Sequence, residues 1–158
     1  MTGNSLEEKV SYGLFLAAEA DESVTCLSWQ SVDGKGYFTA DIKLRLSTGQ
    51  RMEPDLILLA TGVLWLIEVK GRHFEALDDE AKLVRLVEDL GPQRIRDTVK
   101  LRTGTDLDSV VVRVAVAFDV DDLATPDGRC LDSVAHLEWP RIEQALLEQS
   151  LSWILAAL

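Results

Sequence analysis

Glu53-Pro54-Asp55-Leu56-Ile57-Leu58-Leu59-Ala60-Thr61-Gly62-Val63-Leu64-Trp65-Leu66-Ile67-Glu68-Val69-Lys70 is apolar through its middle and charged at both ends. The only break in the apolar run is Thr61-Gly62, which predicts a tight turn between two strands of a buried hairpin. A two-residue turn opposes Ala60 to Val63. Stepping outward from that pair puts Asp55 directly opposite Glu68. Opposed residues share a face, with Cβ atoms about 4.5 to 5.5 Å apart, and Lys70, two positions beyond Glu68, points the same way. The pattern predicts a compact Asp55, Glu68, Lys70 cluster at one end of the hairpin. Val63, Trp65 and Ile67 fall on one face and Leu64 and Leu66 on the other, so this strand is expected to be central and covered on both sides.

Two carboxylates this close repel unless positive charge sits between them, and Lys70 alone cannot neutralise both. A divalent cation fits the gap. Carboxylate oxygens suit Mg²⁺ or Mn²⁺, whereas Cys26 and Cys130 lie too far away in sequence to suggest a thiolate site. The same residues also read as an ordinary Glu68–Lys70 ion pair at a strand end, with Asp55 as a solvated strand start after Pro54. Lys70, with an unperturbed pKa near about 10.4 and acids beside it, is expected to stay cationic rather than act as a base.

Outward from the hairpin, Ser5 and Glu8 form a capping box ahead of Leu6, Val10, Leu14 and Ala17, predicting a helix over 6–20. Residues 24–30 alternate as a strand, 33–36 read as a turn, and 37–46 alternate again, completing an earlier hairpin. Leu83, Leu86, Val87 and Leu90 predict a helix over 77–90. Pro92 suits the first turn of another, running to about Arg102. Residues 109–118 are strongly strand-forming, 121–129 form a polar loop, 134–137 a short strand, and a last helix begins at Pro140. There is no internal repeat, so 1–158 reads as a single domain.

The arrangement resembles the PD-(D/E)xK nuclease superfamily, whose signature is matched by Pro54-Asp55, a spacer and Glu68-Val69-Lys70. Glu8-Lys9-Val10 is similar to the helix opening of the nuclease-related domain (NERD) branch. Gly91-Pro92-Gln93 before Ile95 and Val99 resembles that branch's later helix, and residues 110–118 its following strand. The sequence departs from the branch at Glu7, where a glycine is usual, in its shorter Pro-to-Gln spacing, and at Gly71-Arg72-His73-Phe74. The resemblance implies an α/β fold with a restriction-endonuclease-like core, a mixed central β-sheet flanked by helices on both faces. It further implies Mg²⁺- or Mn²⁺-dependent hydrolysis of phosphodiester bonds in nucleic acid, DNA rather than RNA. Asp55, Glu68, the Val69 carbonyl and Glu8 would hold the ion, with Lys70 and Gln93 completing the catalytic set. The alternative is a catalytically inactive module of the same fold that binds nucleic acid or protein.

Composition sets limits on that expectation. The chain has 158 residues, 47% of them apolar, enough for a proper core and too many for a disordered chain. Its formal net charge of −11 argues against autonomous tight binding to a phosphate backbone, so a protein partner that supplies DNA affinity is one expectation. Charge is uneven, however. Arg94, Arg96, Lys100 and Arg102 make one helix locally basic, and Arg94, Arg96 and Lys100 are candidate phosphate contacts. Taken singly, each reads more readily as part of a solvated face balancing Glu88 and Asp89. No apolar stretch approaches the roughly 20 residues a spanning helix needs, and the acidic N-terminus resembles no signal peptide, so no membrane association and a reducing, cytoplasmic home are expected. His73 and His136 are too few and too separated to suggest a metal site. His73 reads as a surface histidine, or one touching substrate. Trp153, Ile154, Leu155 and Leu158 read as core or as a homodimer surface.

Overall fold

The computed structural model describes residues 3–30, 37–39, 42–119 and 133–158. The Thr61-Gly62 turn joins β5 (Leu56–Ala60) to β6 (Val63–Val69), with Ala60 opposed to Val63 and Leu56 to Ile67. Both turn residues have positive φ, 52° at Thr61 and 76° at Gly62, the backbone that matches the twist of a two-residue hairpin. Around this hairpin β1 (Val24–Gln30) pairs antiparallel with β5, and β2 (Tyr37–Thr39) antiparallel with β1. On the other side β7 (Val111–Phe118) runs parallel to β6, and β8 (Val134–Glu138) parallel to β7. The sheet is therefore mixed and six-stranded, in the order β2-β1-β5-β6-β7-β8.

Helices cover both faces, as the two-sided apolar pattern requires. Leu56, Leu58, Trp65 and Ile67 pack under α1 (Gly3–Ala20), α3 (Trp139–Glu148) and α4 (Leu151–Ala156). Ile57, Leu64, Leu66, Val114, Val116 and Phe118 pack under α2 (Leu77–Thr103). A 3-10 turn, His73–Ala76, leads into α2. Asp21, at the end of α1, accepts the N–H of Ser23 and of Ser152, each at 2.8 Å, tying that helix to α4. No helix among the described residues is long and apolar enough to cross a membrane.

Several local expectations change. α1 begins at Gly3, upstream of Ser5, so Ser5 lies inside the helix rather than capping it. The strand expected over 37–46 is broken: Leu44–Arg45 (β3) leaves the sheet to form a two-stranded ribbon with Arg51–Met52 (β4). Burial explains the departure, because Ile42, Leu44 and Met52 complete the apolar cluster on the α2 side. The two helices expected around Pro92 do form; α2 comprises both, joined at a kink at Gly91 whose φ of 77° and ψ of 159° are open to glycine. Leu151, Ile154 and Leu155 are core, whereas Trp153 is 81% exposed. The turn at 33–36 and the loop at 121–129, like Cys130, lie outside the described residues.

Candidate active site

Past Leu56–Ile67 the hairpin register carries Asp55 against Glu68, and the two carboxyl groups are close enough for Asp55 to raise the Glu68 pKa. The Val69 N–H donates to Asp55 Oδ2 at 2.8 Å, so the strand end holds the aspartate through its own backbone. Since the N–H and C=O of one strand residue point to the same side, the Val69 carbonyl faces the same edge. Lys70 follows, its N–H bonded to Ala117 O at 3.0 Å in the parallel ladder. Its Nζ lies 3.7 Å from Asp79 Oδ2, in the first turn of α2, and 3.9 Å from Glu7 Oε1 on α1. Four carboxyl groups, from the start of β5, from β6, from α1 and from α2, thus act on one ammonium.

The electrostatics follow from that count. Burial, reinforced by Asp55 and Asp79 and only partly opposed by Lys70, pushes Glu68 up to about 10. Burial likewise raises Glu7 and Asp79 despite the opposing Lys70. Burial alone would lower Lys70, but Asp79, Glu7, Asp55 and Glu68 outweigh it and hold the ammonium above its ordinary value. Lys70 is therefore a fixed cation at neutral pH, as its neighbours implied. Asp79 Oδ2 is buried with no hydrogen-bond donor, at a separation from Lys70 longer than a hydrogen bond. Oxygen donors, excess negative charge and an orphaned acceptor together fit a hard divalent cation.

A cleft of about 520 Å³ runs from this cluster between the β3–β4 ribbon and α2. Glu68 and Asp79 line it, followed along α2 by Lys82, Arg85, Glu88 and Asp89, with Arg51 and Glu53 from the ribbon. Asp79 and Asp89 are ten residues apart, about 15 Å of helix. Ser47 pins the far end, its N–H and Oγ each donating to the Asp89 carboxylate at 2.6 Å.

The structure brings Asp55, Glu68, Val69 and Lys70 together but rearranges the rest of the expected set. Glu8 is exposed, and the α1 carboxylate near Lys70 is that of Glu7. Gln93, expected at the cluster, instead donates to Asp97 at 2.8 Å and accepts from Arg96 at 2.8 Å. Arg96 in turn donates to Val110 O at 2.7 Å, beside the start of β7. Glu68 is in register with Val116, six residues along that strand, so this network lies about 20 Å from the carboxylates. Lys100 is 4.0 Å from Asp108, close to the same end of β7, and Arg94 is exposed on the same stretch of α2. None of these four reaches the cluster, because α2 carries them to the opposite end of the strands, beside the start of β7.

Sequence reasoning missed Asp79, whose place in an acidic first turn is what any helix N-terminus favours. It also missed the cationic lining, Arg51, Lys82 and Arg85. His73, expected at the surface, is fully buried, stacked on Phe118 at 4.4 Å and within 2.7 Å of Glu80. His136, distant in sequence, reaches the same carboxylate at 2.8 Å. Cys26 is buried, which pushes its thiol up to about 12 and leaves it unreactive. No family model, curated protein or solved structure matches the chain.

Proposed function

We propose that this chain is a Mg²⁺- or Mn²⁺-dependent nuclease of the PD-(D/E)xK type, hydrolysing phosphodiester bonds of DNA. The observation that carries the reading is the convergence of Asp55, Glu68 and Lys70 with Glu7 and Asp79, beside a cleft that Glu68 and Asp79 line. The order of elements supports it: a helix bearing an acid, antiparallel strands bearing Asp55 and Glu68-Val69-Lys70, then a helix and a parallel strand. That order is the one expected of a restriction-endonuclease-like core, and of the NERD branch within it.

Asp55, Glu68 and the Val69 carbonyl would hold the ion, with Glu7 and Asp79 reaching it directly or through water. Bound there, it would act as a Lewis acid on the scissile phosphate and lower the pKa of the attacking water. The protein's own residues do the rest. Val69 N–H fixes the rotamer of Asp55, Glu68 gives up its proton as positive charge arrives, and Lys70 offsets the charge that builds on the phosphate. Arg51, Lys82 and Arg85 would meet the phosphates of a strand lying in the cleft.

Purified protein should nick supercoiled DNA with Mn²⁺ or Mg²⁺. Lys70→Ala should abolish turnover while leaving metal binding largely intact, whereas Glu68→Ala should lose both. Equal cleavage by wild type and Lys70→Ala would sink the proposal. The second reading, an inactive module with this fold, is favoured by one observation: Gln93 and Arg96 are committed to a network at the far end of the strands, beside the start of β7. It predicts DNA or protein binding with no cleavage under any divalent ion.

A further inference from the structure

Asp79 and Glu80 are consecutive residues in the first turn of α2, yet they serve different clusters. Asp79 turns toward Lys70, whereas Glu80 is buried between two imidazoles. Its Oε1 lies 2.7 Å from His73 Nε2 and 2.8 Å from His136 Nε2, and the three donor atoms lie within 4.8 Å of one another. We propose that His73, Glu80 and His136 form a zinc site, separate from the oxygen-donor site at Asp55 and Glu68, that locks the 3-10 turn, α2 and β8 together.

Ligand chemistry separates the two sites. Two imidazole nitrogens and one carboxylate suit Zn²⁺ and its neighbours in the transition series, and suit Mg²⁺ poorly. Each ligand comes from a different element: the 3-10 turn, the start of α2 and strand β8. The rings are held by packing, His73 lying flat on Phe118 with planes 2° apart and His136 meeting His73 edge-on at 4.4 Å.

A closed hydrogen-bonded knot is the competing arrangement, and the geometry at His136 speaks against it. His136 Nε2 is buried and only 2.8 Å from Glu80 Oε1, yet it makes no hydrogen bond, so the ring nitrogen is not aimed at that oxygen. His73 Nε2 is bonded to Glu80 Oε1, whereas a second buried imidazole nitrogen held against the same oxygen without bonding to it is left free for an ion. On a tetrahedral ion with bonds of about 2.0–2.1 Å, neighbouring ligand atoms sit about 3.3 Å apart. Loading therefore replaces the His73–Glu80 hydrogen bond and moves the Glu80 carboxylate by about half an ångström. Of the three side chains only His136 retains exposure, 19% against 0% and 1%, so a fourth ligand would come from its side of the cluster. The burial of His73 and Glu80 leaves little space for the additional ligands of a six-coordinate ion.

The test needs no enzymatic activity. Full-length protein stripped with chelator and dialysed against Zn²⁺ should retain one equivalent, measured by elemental analysis, in the presence of excess Mg²⁺. Glu80→Gln and His136→Gln should each weaken Zn²⁺ affinity by more than about 100-fold, while Asp55→Asn leaves it within about twofold. Co²⁺ added to stripped wild type should give the visible absorption of a four-coordinate ion, a readout that does not depend on any variant folding. The proposal is overturned if stripped, folded wild type takes up no zinc, if uptake survives both substitutions or requires Asp55, or if Co²⁺ gives a six-coordinate spectrum.

Discussion

The Val69 N–H donates to Asp55 Oδ2 across 2.8 Å, so the backbone of the strand that carries Glu68 and Lys70 positions the aspartate opposite. Asp55→Ala removes that acceptor and leaves a half-buried N–H without a partner. The variant should lose about 1–3 kcal/mol of stability in urea unfolding with chelator present. It should also lose any rise in melting temperature on adding millimolar Mg²⁺, a rise that wild type should show because the ion binds the native state.

Glu68 predicts a pH dependence of definite sign. Its carboxyl is pushed up to about 10 by burial and Asp55, against an unfolded value near about 4.3. Between those values the folded state holds a proton that the unfolded state has released. This contribution is fully present below the unfolded pKa and is lost as pH rises through the folded one. Metal-free wild type should become less stable from pH 6 to pH 9, and Glu68→Gln should flatten that slope in paired urea titrations. Mg²⁺ should bind more tightly as pH rises, releasing a proton visible in calorimetry as a dependence on buffer ionisation enthalpy. Identical slopes for wild type and Glu68→Gln would place the protonated group elsewhere.

The two adjacent acids of α1 should behave differently. Glu7 lies 3.9 Å from Lys70 and Glu8 is exposed. Glu7→Gln should lower nuclease turnover by at least about tenfold, in line with the loss of one positioned catalytic group. Glu8→Gln should leave turnover within about twofold, as expected of a surface change. The opposite ranking would restore the role that sequence similarity assigned to Glu8.

Substrate affinity should follow the cleft rather than the basic end of α2. Lys82→Ala and Arg85→Ala should each weaken DNA binding and reduce the magnitude of its salt dependence by about one unit, the signature of a lost phosphate contact. Arg94→Ala and Lys100→Ala should change neither by a measurable amount. Binding isotherms across a salt series distinguish the two sets.

Packing between α1 and α3 supplies a stability prediction independent of function. A Cβ added at Gly13 would stand 2.5 Å from Trp139 Cζ3, nearer than atoms can approach without movement. Gly13→Ala should cost about 1–3 kcal/mol despite its better helix propensity. Trp139→Leu in the same chain should recover part of that loss, detectable as a coupling energy in a double-mutant cycle.

Near the hairpin, sequence and structure agree because the controlling forces are local. Period-two alternation and a two-residue turn set the register from Ala60–Val63 to Leu56–Ile67. Glu7 was also within reach: the buried stripe Val10, Leu14 and Ala17, extended three residues toward the N-terminus, falls on Glu7 and not on Glu8. Motif similarity pointed to the neighbour, about 100° around the helix. Asp79 carried no comparable signal, since acids crowd most helix starts.

Short-range periodicity and steric turn preferences act between residues close in the chain, so the amino-acid sequence by itself determined the hairpin, its two-sided burial and the pairing of Asp55 with Glu68. Which distant residues joined them was decided only by tertiary packing. The first turn of α2 brings Asp79 to the carboxylates, while the part of α2 beyond the kink at Gly91 carries Gln93 and Arg96 to the start of β7, at the opposite end of the strands. The parallel crossover to β8 sets His136 beside Glu80, 56 positions earlier, on a face that linear spacing does not encode. Burial against Phe118 and the approach of three separate elements, neither a property of any local window, bring His73, which reads singly as a surface histidine, together with Glu80 and His136.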